Sequence, residues 1–296
     1  MTHAATLAAS PATDAITIRR PDAANSIFLV EGRARVFIRA GTTIDGIEFT
    51  REVEVEIPAD ALAPGSDFHV RLEDGKPVAL RPISLATDGV IGGFHLAPGG
   101  NATARAGGDA MPAINPLSCW DAGFRPACAD PRGMALVTMP GGYRFWCDIY
   151  LLGRDHEKDG SSRHGVEIAD GNSMPDGFNF AQASGALAHH GKELLTYDEF
   201  RAAAFGVTEK SATSRDPKNA GLDAPRTSRF GLMQATGNLW VWGTDGDPDE
   251  ERPSLFGGSW FGGSNAGSRR AFLGNWPENS DGLISARGRC DHMQPA

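Results

Sequence analysis

The residue types that do chemistry are present in this chain, but they are scattered. Its four cysteines, Cys119, Cys128, Cys147 and Cys290, match no zinc spacing and no dense disulfide framework. Free buried thiols are the default expectation, with room for one disulfide. Asp245-Gly246-Asp247-Pro248-Asp249 places carboxylates at the first three ligand positions of a calcium loop. Glu250 and Phe256 stand where such a loop needs its Gly and its closing Glu. An Asp-rich surface loop fits better, so no cofactor is expected, with structural calcium as the lesser reading. Ser, His and Asp all occur, yet no G-x-S-x-G elbow leads into a helix. His189-His190 falls beside a predicted helix end, where a solvated histidine is the ordinary outcome. Cys290-Asp291-His292 would need ligands from elsewhere to hold a metal and reads as terminal frame.

What the chain does concentrate is contact side chains, between Leu255 and His292. Phe256-Gly257-Gly258-Ser259-Trp260 at one end and Ile284-Ser285-Ala286-Arg287-Gly288 at the other frame a middle rich in Gly, Asn and Ser. Within that middle, Phe261, Phe272, Leu273, Trp276 and Leu283 stand apart from one another, and neither the helical nor the strand period fits them. Such a stretch suits a looped surface on a rigid base. Trp260, Phe261, Phe272 and Trp276 argue against a solvated linker.

The base must come from the rest of the 296 residues, enough for two ordinary domains. A net charge of −9 without any Lys/Arg cluster speaks against nucleic acid and anionic membranes. No apolar run reaches the length of a membrane span, so membrane insertion is not expected. Residues 1–15 lack the basic start and apolar core of a secretory signal and read as a flexible leader. From residue 16 to about 88 the chain reads as strands. Ile27–Val30 and Val36–Ile38 are short apolar runs. Ile47, Phe49, Val53, Val55 and Ile57 alternate with polar residues as one half-wet strand. Asp74-Gly75 is a hairpin turn between Phe68–Leu72 and Val78–Leu80. This makes a small all-β domain of residues 1–88. Gly92–Gly100 and Asn101–Ala110 look like a linker or long loop, which places a boundary near residue 89 and a second domain over 89–296. In that second part Met134–Met139 and Tyr143–Leu152 pair across Pro140-Gly141-Gly142, and Phe178–His190 forms a helix. Leu195–Phe205 forms another, with a Thr196/Glu199 capping box and a Leu195/Phe200 staple, ending near Gly206. Trp240 and Trp242, two apart on one strand face, read as core tryptophans.

Taken together, several motifs resemble a known family. Q-A-T-G-N-L-W-V-W, then G-G-S-W, then A-R-G-R-C look like the formylglycine-generating-enzyme type of C-type lectin fold. F-H-L-A-P-G-G-N, F-R-P-A-C-A-D-P-R-G-M, D-I-Y-L-L-G and L-F-G-G-S-W…I-S-A-R-G-R-C-D-H are similar, more narrowly, to the variable proteins of diversity-generating retroelements. The resemblance covers about residues 90–292. It implies an α+β chain whose C-type-lectin-like domain carries a variable region at about 255–292. In that family a reverse transcriptase rewrites the 3′ end of the gene with errors at adenines, so Asn codons scatter over many residue types.

The family's Asn-rich pattern, laid over this sequence, implies varied ligand-binding positions at Phe261, Gly262, Asn265, Phe272, Gly274, Asn275, Asn279, Asp281, Gly282 and Leu283. All are reachable from such codons, whereas Trp276, Glu278 and Arg270 are assigned to frame or flank. Phe261, Phe272 and Leu283 are the expected anchors, with Trp260 and Trp276 as neighbours. The implied function is recognition of a protein or glycan on a host-cell surface, as a phage or prophage tropism determinant in a tail fibre, with a homotrimer favoured for avidity. Two rivals keep the fold. A formylglycine-generating-type oxidoreductase would need a cysteine pair after G-G-S for copper, where Gly262 and Ala266 stand. A bacterial surface or effector lectin-like binder would differ only in its setting.

Overall fold

The computed structural model describes residues 16–82, 89–102, 104–160 and 162–293. The expected leader, residues 1–15, lies outside them. Asp74 and Gly75 both take positive φ, 49° and 78°, which makes the two-residue turn whose twist matches paired strands. It joins Ser66–Glu73 to Lys76–Leu80 in antiparallel register, Glu73 opposite Lys76. The alternating run from Ile47 does not form one strand. It breaks at residues 50–52 into Ile47–Phe49, paired with Thr42–Ile44, and Val53–Glu54, paired with Arg35–Ile38. Phe49 and Val55 still face inward while Glu48, Glu52, Glu54 and Glu56 face out. Ile47, expected to face inward, is 45% exposed; from Phe49 to Val55 the period holds but the continuity does not, because three consecutive polar residues leave the turn free to form.

The division expected at residue 89 does not separate two sheets. Val90–Ala97 is a fully buried strand that pairs with Ser66–Glu73 along one edge and with Ala113–Ile114 and Trp120–Asp121 along the other. The first hydrophobic core accordingly runs from Ile27 through Phe68 and Phe94 to Cys119. Gly92 and Gly93 suggest a linker in the sequence, but they serve close packing. A Cβ at Gly92 would sit 2.3 Å from the Trp120 carbonyl oxygen, and one at Gly93 would sit 2.2 Å from that of Phe68. The loop after Gly99 is held from within. Arg105 is buried and donates to the carbonyls of Gly100, Ala106, Gly108 and Met111.

The C-terminal part is built on an eight-stranded sheet. Its order is Met134–Thr138, Arg144–Asp148, Gly288–Asp291, Glu193–Thr196, Trp240–Thr244, Pro253–Phe256 and Ala271–Phe272, with Ile284–Ala286 also on Trp240–Thr244. Two helices flank it. Phe180–Ala188 is closed by an Asn179/Gln182 capping box, and Tyr197–Ala203 by the expected Thr196/Glu199 box. Both are shorter than the sequence suggests. Leu195 and Thr196 are taken by the sheet, pairing in parallel with Gly243 and Thr244. Leu195 and Phe200 nonetheless share one core with Phe145, Val241 and Phe256. Trp242 is fully buried and its Nε1 donates to the Phe178 carbonyl at 3.1 Å. Trp240 is only half-buried.

Charged groups knit this interior. Lys192 Nζ donates to Asp148 Oδ1 at 2.7 Å with both side chains at 0% exposure, and also to the Gly160 carbonyl. Asp148 Oδ2 accepts the Gly288 amide at 3.0 Å. Buried Arg287 donates to the carbonyls of Asp148 and Met233. Between the two cores, His95 bridges Asp67 at 2.8 Å and Tyr150 at 3.0 Å. All four cysteines are free and buried. His292 is part of the frame, its Nδ1 accepting from Trp146 Nε1 at 2.9 Å. Among the described residues no group of three His, Cys, Asp or Glu is placed to hold a metal ion. No described helix is long and apolar enough to cross a membrane.

Two stability predictions result. Lys192→Met strands the Asp148 carboxylate in the core and should cost about 3–5 kcal/mol in urea unfolding; a loss below about 1 kcal/mol would mean that water reaches the pair. Burial lowers both His69 and His292 to about 4, against about 6.5 in the unfolded chain. Above 6.5 neither state takes up a proton at these rings. As pH falls from 6.5 to 4 only the unfolded state does, so stability drops by an amount on the order of a few kcal/mol. Urea midpoints at pH 7 and 4.5 measure the drop, and His69→Gln/His292→Gln should flatten it.

Candidate binding face

The stretch 257–283 begins and ends on one strand. Val241 of Trp240–Thr244 pairs antiparallel with Phe256 on one side and parallel with Ser285 on the other. Between those two points the chain is stapled back by its own amides. Gly257 N donates to the Arg270 carbonyl at 2.8 Å, Gly267 N to that of Gly257 at 3.0 Å, and Trp260 N to that of Asn238 at 2.7 Å. Glu209 accepts both the amide and the hydroxyl of Ser268. Ala271–Phe272 adds a short antiparallel strand, Leu255 opposite Phe272. Further on, Asn275 N reaches the Pro253 carbonyl. The segment then leans on the start of the Phe180–Ala188 helix. The Pro277 carbonyl accepts from Phe180 N, and Ser280 Oγ from Phe178 N at 2.7 Å. The Asp281 carboxylate accepts the Leu283 amide at 2.7 Å, which closes the turn into Ile284. A backbone bonded this densely needs no regular period, which is why none is visible in the sequence.

The side chains stand away from that base. Of the ten positions expected to vary, Phe261, Asn265, Phe272, Gly274 and Asp281 are exposed, and Gly262, Asn275, Asn279, Gly282 and Leu283 are half-buried. None is in the core. Phe261 is 78% exposed, with Trp260 edge-on beneath it at 5.9 Å between ring centroids. Phe272 is 48% exposed and lies between Trp240, at 5.0 Å, and the Arg270 guanidinium, 4.7 Å from its ring centre. Trp240 is thus the platform under Phe272 as well as an edge of the core, and only Trp242 is the core tryptophan expected of both. Two large apolar side chains outside the expected set are as prominent. Leu273 is 55% exposed and Trp276 79%. Codon reasoning sets Trp276 aside. Its setting of turn-formers, Asn275 before it and Pro277-Glu278-Asn279 after it, is the signal that it sits at a loop tip.

The aromatic side chains of this face carry no nucleophile and no acid–base pair. Cysteine is absent from residues 258–289, Gly262 is open to solvent on its Cβ side, and Ala266 is buried. The Asp245 carboxyl of the neighbouring acidic loop is already committed. The Arg252 amide, bonded at 2.9 Å, holds it below the usual carboxylate range, and the Arg252 guanidinium lies 3.1 Å away. What the arrangement offers is exposed apolar and aromatic area on a fixed backbone, the usual makings of a recognition patch.

No family model matches the chain. It is 36% identical to the "Tail fiber receptor-binding protein" of Bordetella phage BPP-1, over 90% of this chain and 82% of that one. Among solved structures, the "Major Tropism Determinant U1 Variant" superposes with a TM-score of 0.80 at 34% identity, covering 93% of this chain and 86% of that chain. The "Major Tropism Determinant I1 Variant" does so with 0.80 at 35%, over 93% and 86%. The likeness carries the C-type-lectin-like fold, mixed helix and sheet with sheet predominating. With identity at this level over nearly the whole length, the chain belongs to the family of the phage tail fiber receptor-binding protein and the Major Tropism Determinants.

Proposed function

We propose that this chain is a retroelement-diversified receptor-binding protein that sets phage tropism by gripping a protein or glycan on the host-cell surface. One observation carries the reading: Phe261, Phe272, Leu273 and Trp276, each 48% exposed or more, stand on a single backbone excursion whose two ends are fixed to the same buried strand. Exposed apolar side chains cost solubility, and a chain that keeps four of them together has a use for them. The ten expected positions are the varied contact set, with Leu273 and Trp276 as fixed aliphatic and aromatic neighbours. The finer architecture belongs to the same proposal: a C-type lectin fold of the formylglycine-generating-enzyme type, preceded by a small all-β domain. The protein acts without catalysis and without a cofactor, in the virion, as part of a tail fibre. Such a setting favours a homotrimer, in which three weak contacts add by avidity.

The direct test is Phe261→Ala/Phe272→Ala/Trp276→Ala. If these rings are binding anchors, adsorption to host cells should weaken by at least about 30-fold, the equivalent of about 2 kcal/mol. The melting temperature should stay within about two degrees, because exposed changes cost little. Unchanged adsorption, or a collapse in stability, defeats the proposal.

Variation must also be compatible with each backbone position. A Cβ added at Gly262 would meet nothing within 4 Å, and the residue lies outside the left-handed region, so Gly262→Asn should leave the melt unaltered. Gly282 would meet the exposed Asn172 side chain at 2.1 Å, a group able to swing aside. Gly274 sits at φ +72°, and Gly274→Val should cost about 1–2 kcal/mol in thermal unfolding. Equal melts for the Gly262 and Gly274 variants would refute that ranking.

A further inference from the structure

Beside the varied face lies a groove of about 1270 Å³, between the Tyr197–Ala203 helix with its following loop and the return of the chain at 264–270. The sequence shows no cationic cluster, but the fold makes one here. Arg201, Lys210, Arg229, Arg269 and Arg270 come together from three distant stretches to line this one groove. Against them stand two carboxylates, Asp198 and Glu209. Asp198 is paired with Arg201 at 3.4 Å, and Glu209 is bonded to Ser268. This local excess of positive charge is set in a chain whose net charge is −9.

The floor is apolar. Met139, Val207 and Phe230 line it, with Val207 part of the main core. Phe205 projects into the opening, 53% exposed, with the Arg229 guanidinium 5.1 Å over its ring. Asn265, one of the expected varied positions, lines it, and Arg270 on the same side lies over Phe272, so the groove adjoins the varied face.

The volume exceeds that of an ordinary small-molecule site. A long polyanion, whether nucleic acid or acidic polysaccharide, would gain from the arginines. Beyond the groove it would meet the repulsion of a strongly negative molecule. A short acidic polypeptide fits both features: arginine forks take carboxylates, and the floor takes apolar side chains. We propose that this groove is an accessory docking site for an acidic segment of the receptor polypeptide, adjoining the varied face. The proposal rests on the receptor-binding reading above and narrows it to a protein receptor with an acidic, partly apolar segment.

The probe is a fluorescein-labelled peptide of repeated Glu-Leu-Asp-Phe, titrated with the full chain and followed by fluorescence anisotropy. It should bind, and Arg229→Glu/Arg269→Glu should weaken it by at least about tenfold, as should raised salt. Phe205→Ala should weaken it as well, whereas Lys158→Glu, an exposed cation outside the groove, should retain the wild-type affinity. No binding, or binding unaffected by the double charge reversal, overturns the proposal. So does equal competition by polygalacturonate, which would make the site one for acidic saccharide. Self-association of the chain that is abolished by Arg229→Glu/Arg269→Glu, with no peptide bound, would assign the groove to a second copy and overturn it too. If the peptide fails while the triple aromatic variant still abolishes cell adsorption, the groove assignment falls and the receptor reading stands.

Discussion

The candidate binding face depends on the pairing of Trp240–Thr244 with both ends of one long excursion. Phe256 leaves along one edge of that strand and Ser285 returns along the other, each opposite Val241. The ends of the loop are therefore fixed at a strand's width on either side of a buried residue. Closing a loop costs entropy that rises only slowly with its length, so once the ends are set the stretch between them is free to differ in shape and composition. Val241, Trp242, Phe256 and Ala286 are all buried at these pairings, so the clamp stays closed whatever the exposed side chains do.

That clamp is held in turn by charge placed inside the protein. Asp148 takes Lys192 and the Gly288 amide, while Arg287, next to Gly288, ties the returning strand to the carbonyls of Asp148 and Met233. A buried ion pair contributes little net stability over a well-packed apolar substitute, but breaking it is costly. The physical effect is selectivity of register: a return path displaced by one residue would take the Arg287 guanidinium from its two carbonyls and the Gly288 amide from the Asp148 carboxylate, leaving buried polar groups unsatisfied. The Asp67–His95–Tyr150 bridge does the same between the first core and the second. This agrees with the strand pairing of Val90–Ala97, which belongs to the first sheet and not to a linker.

On the outer side the aromatic residues form a graded series. Trp242 is wholly inside, Trp240 and Trp260 are at the boundary, and Phe261 and Trp276 are more than three-quarters exposed. The boundary rings let an exposed neighbour rest on a fixed partner, as Phe272 does on Trp240 and Phe261 on Trp260. Side chains supported in this way lose less freedom on binding, which improves what each contact contributes.

The sequence by itself determined the local features whose cause is local. The Asp74-Gly75 turn, the Thr196/Glu199 capping box and the inward alternation from Phe49 to Val55 depend on neighbouring residues alone, and they form where the residue types demand. The order of the family motifs also marked out the framed segment at 255–292. Only the tertiary structure decided what depends on residues far apart. It turned the glycines at 92 and 93 into close-packing positions against Trp120 and Phe68, took Leu195 and Thr196 from a helix into a sheet, and gathered five cations from three stretches around one groove. It also brought out Trp276, because exposure belongs to a surface made by many segments and not to a residue type. Propensity acts over a few residues, whereas burial, pairing and local field are sums over the whole fold.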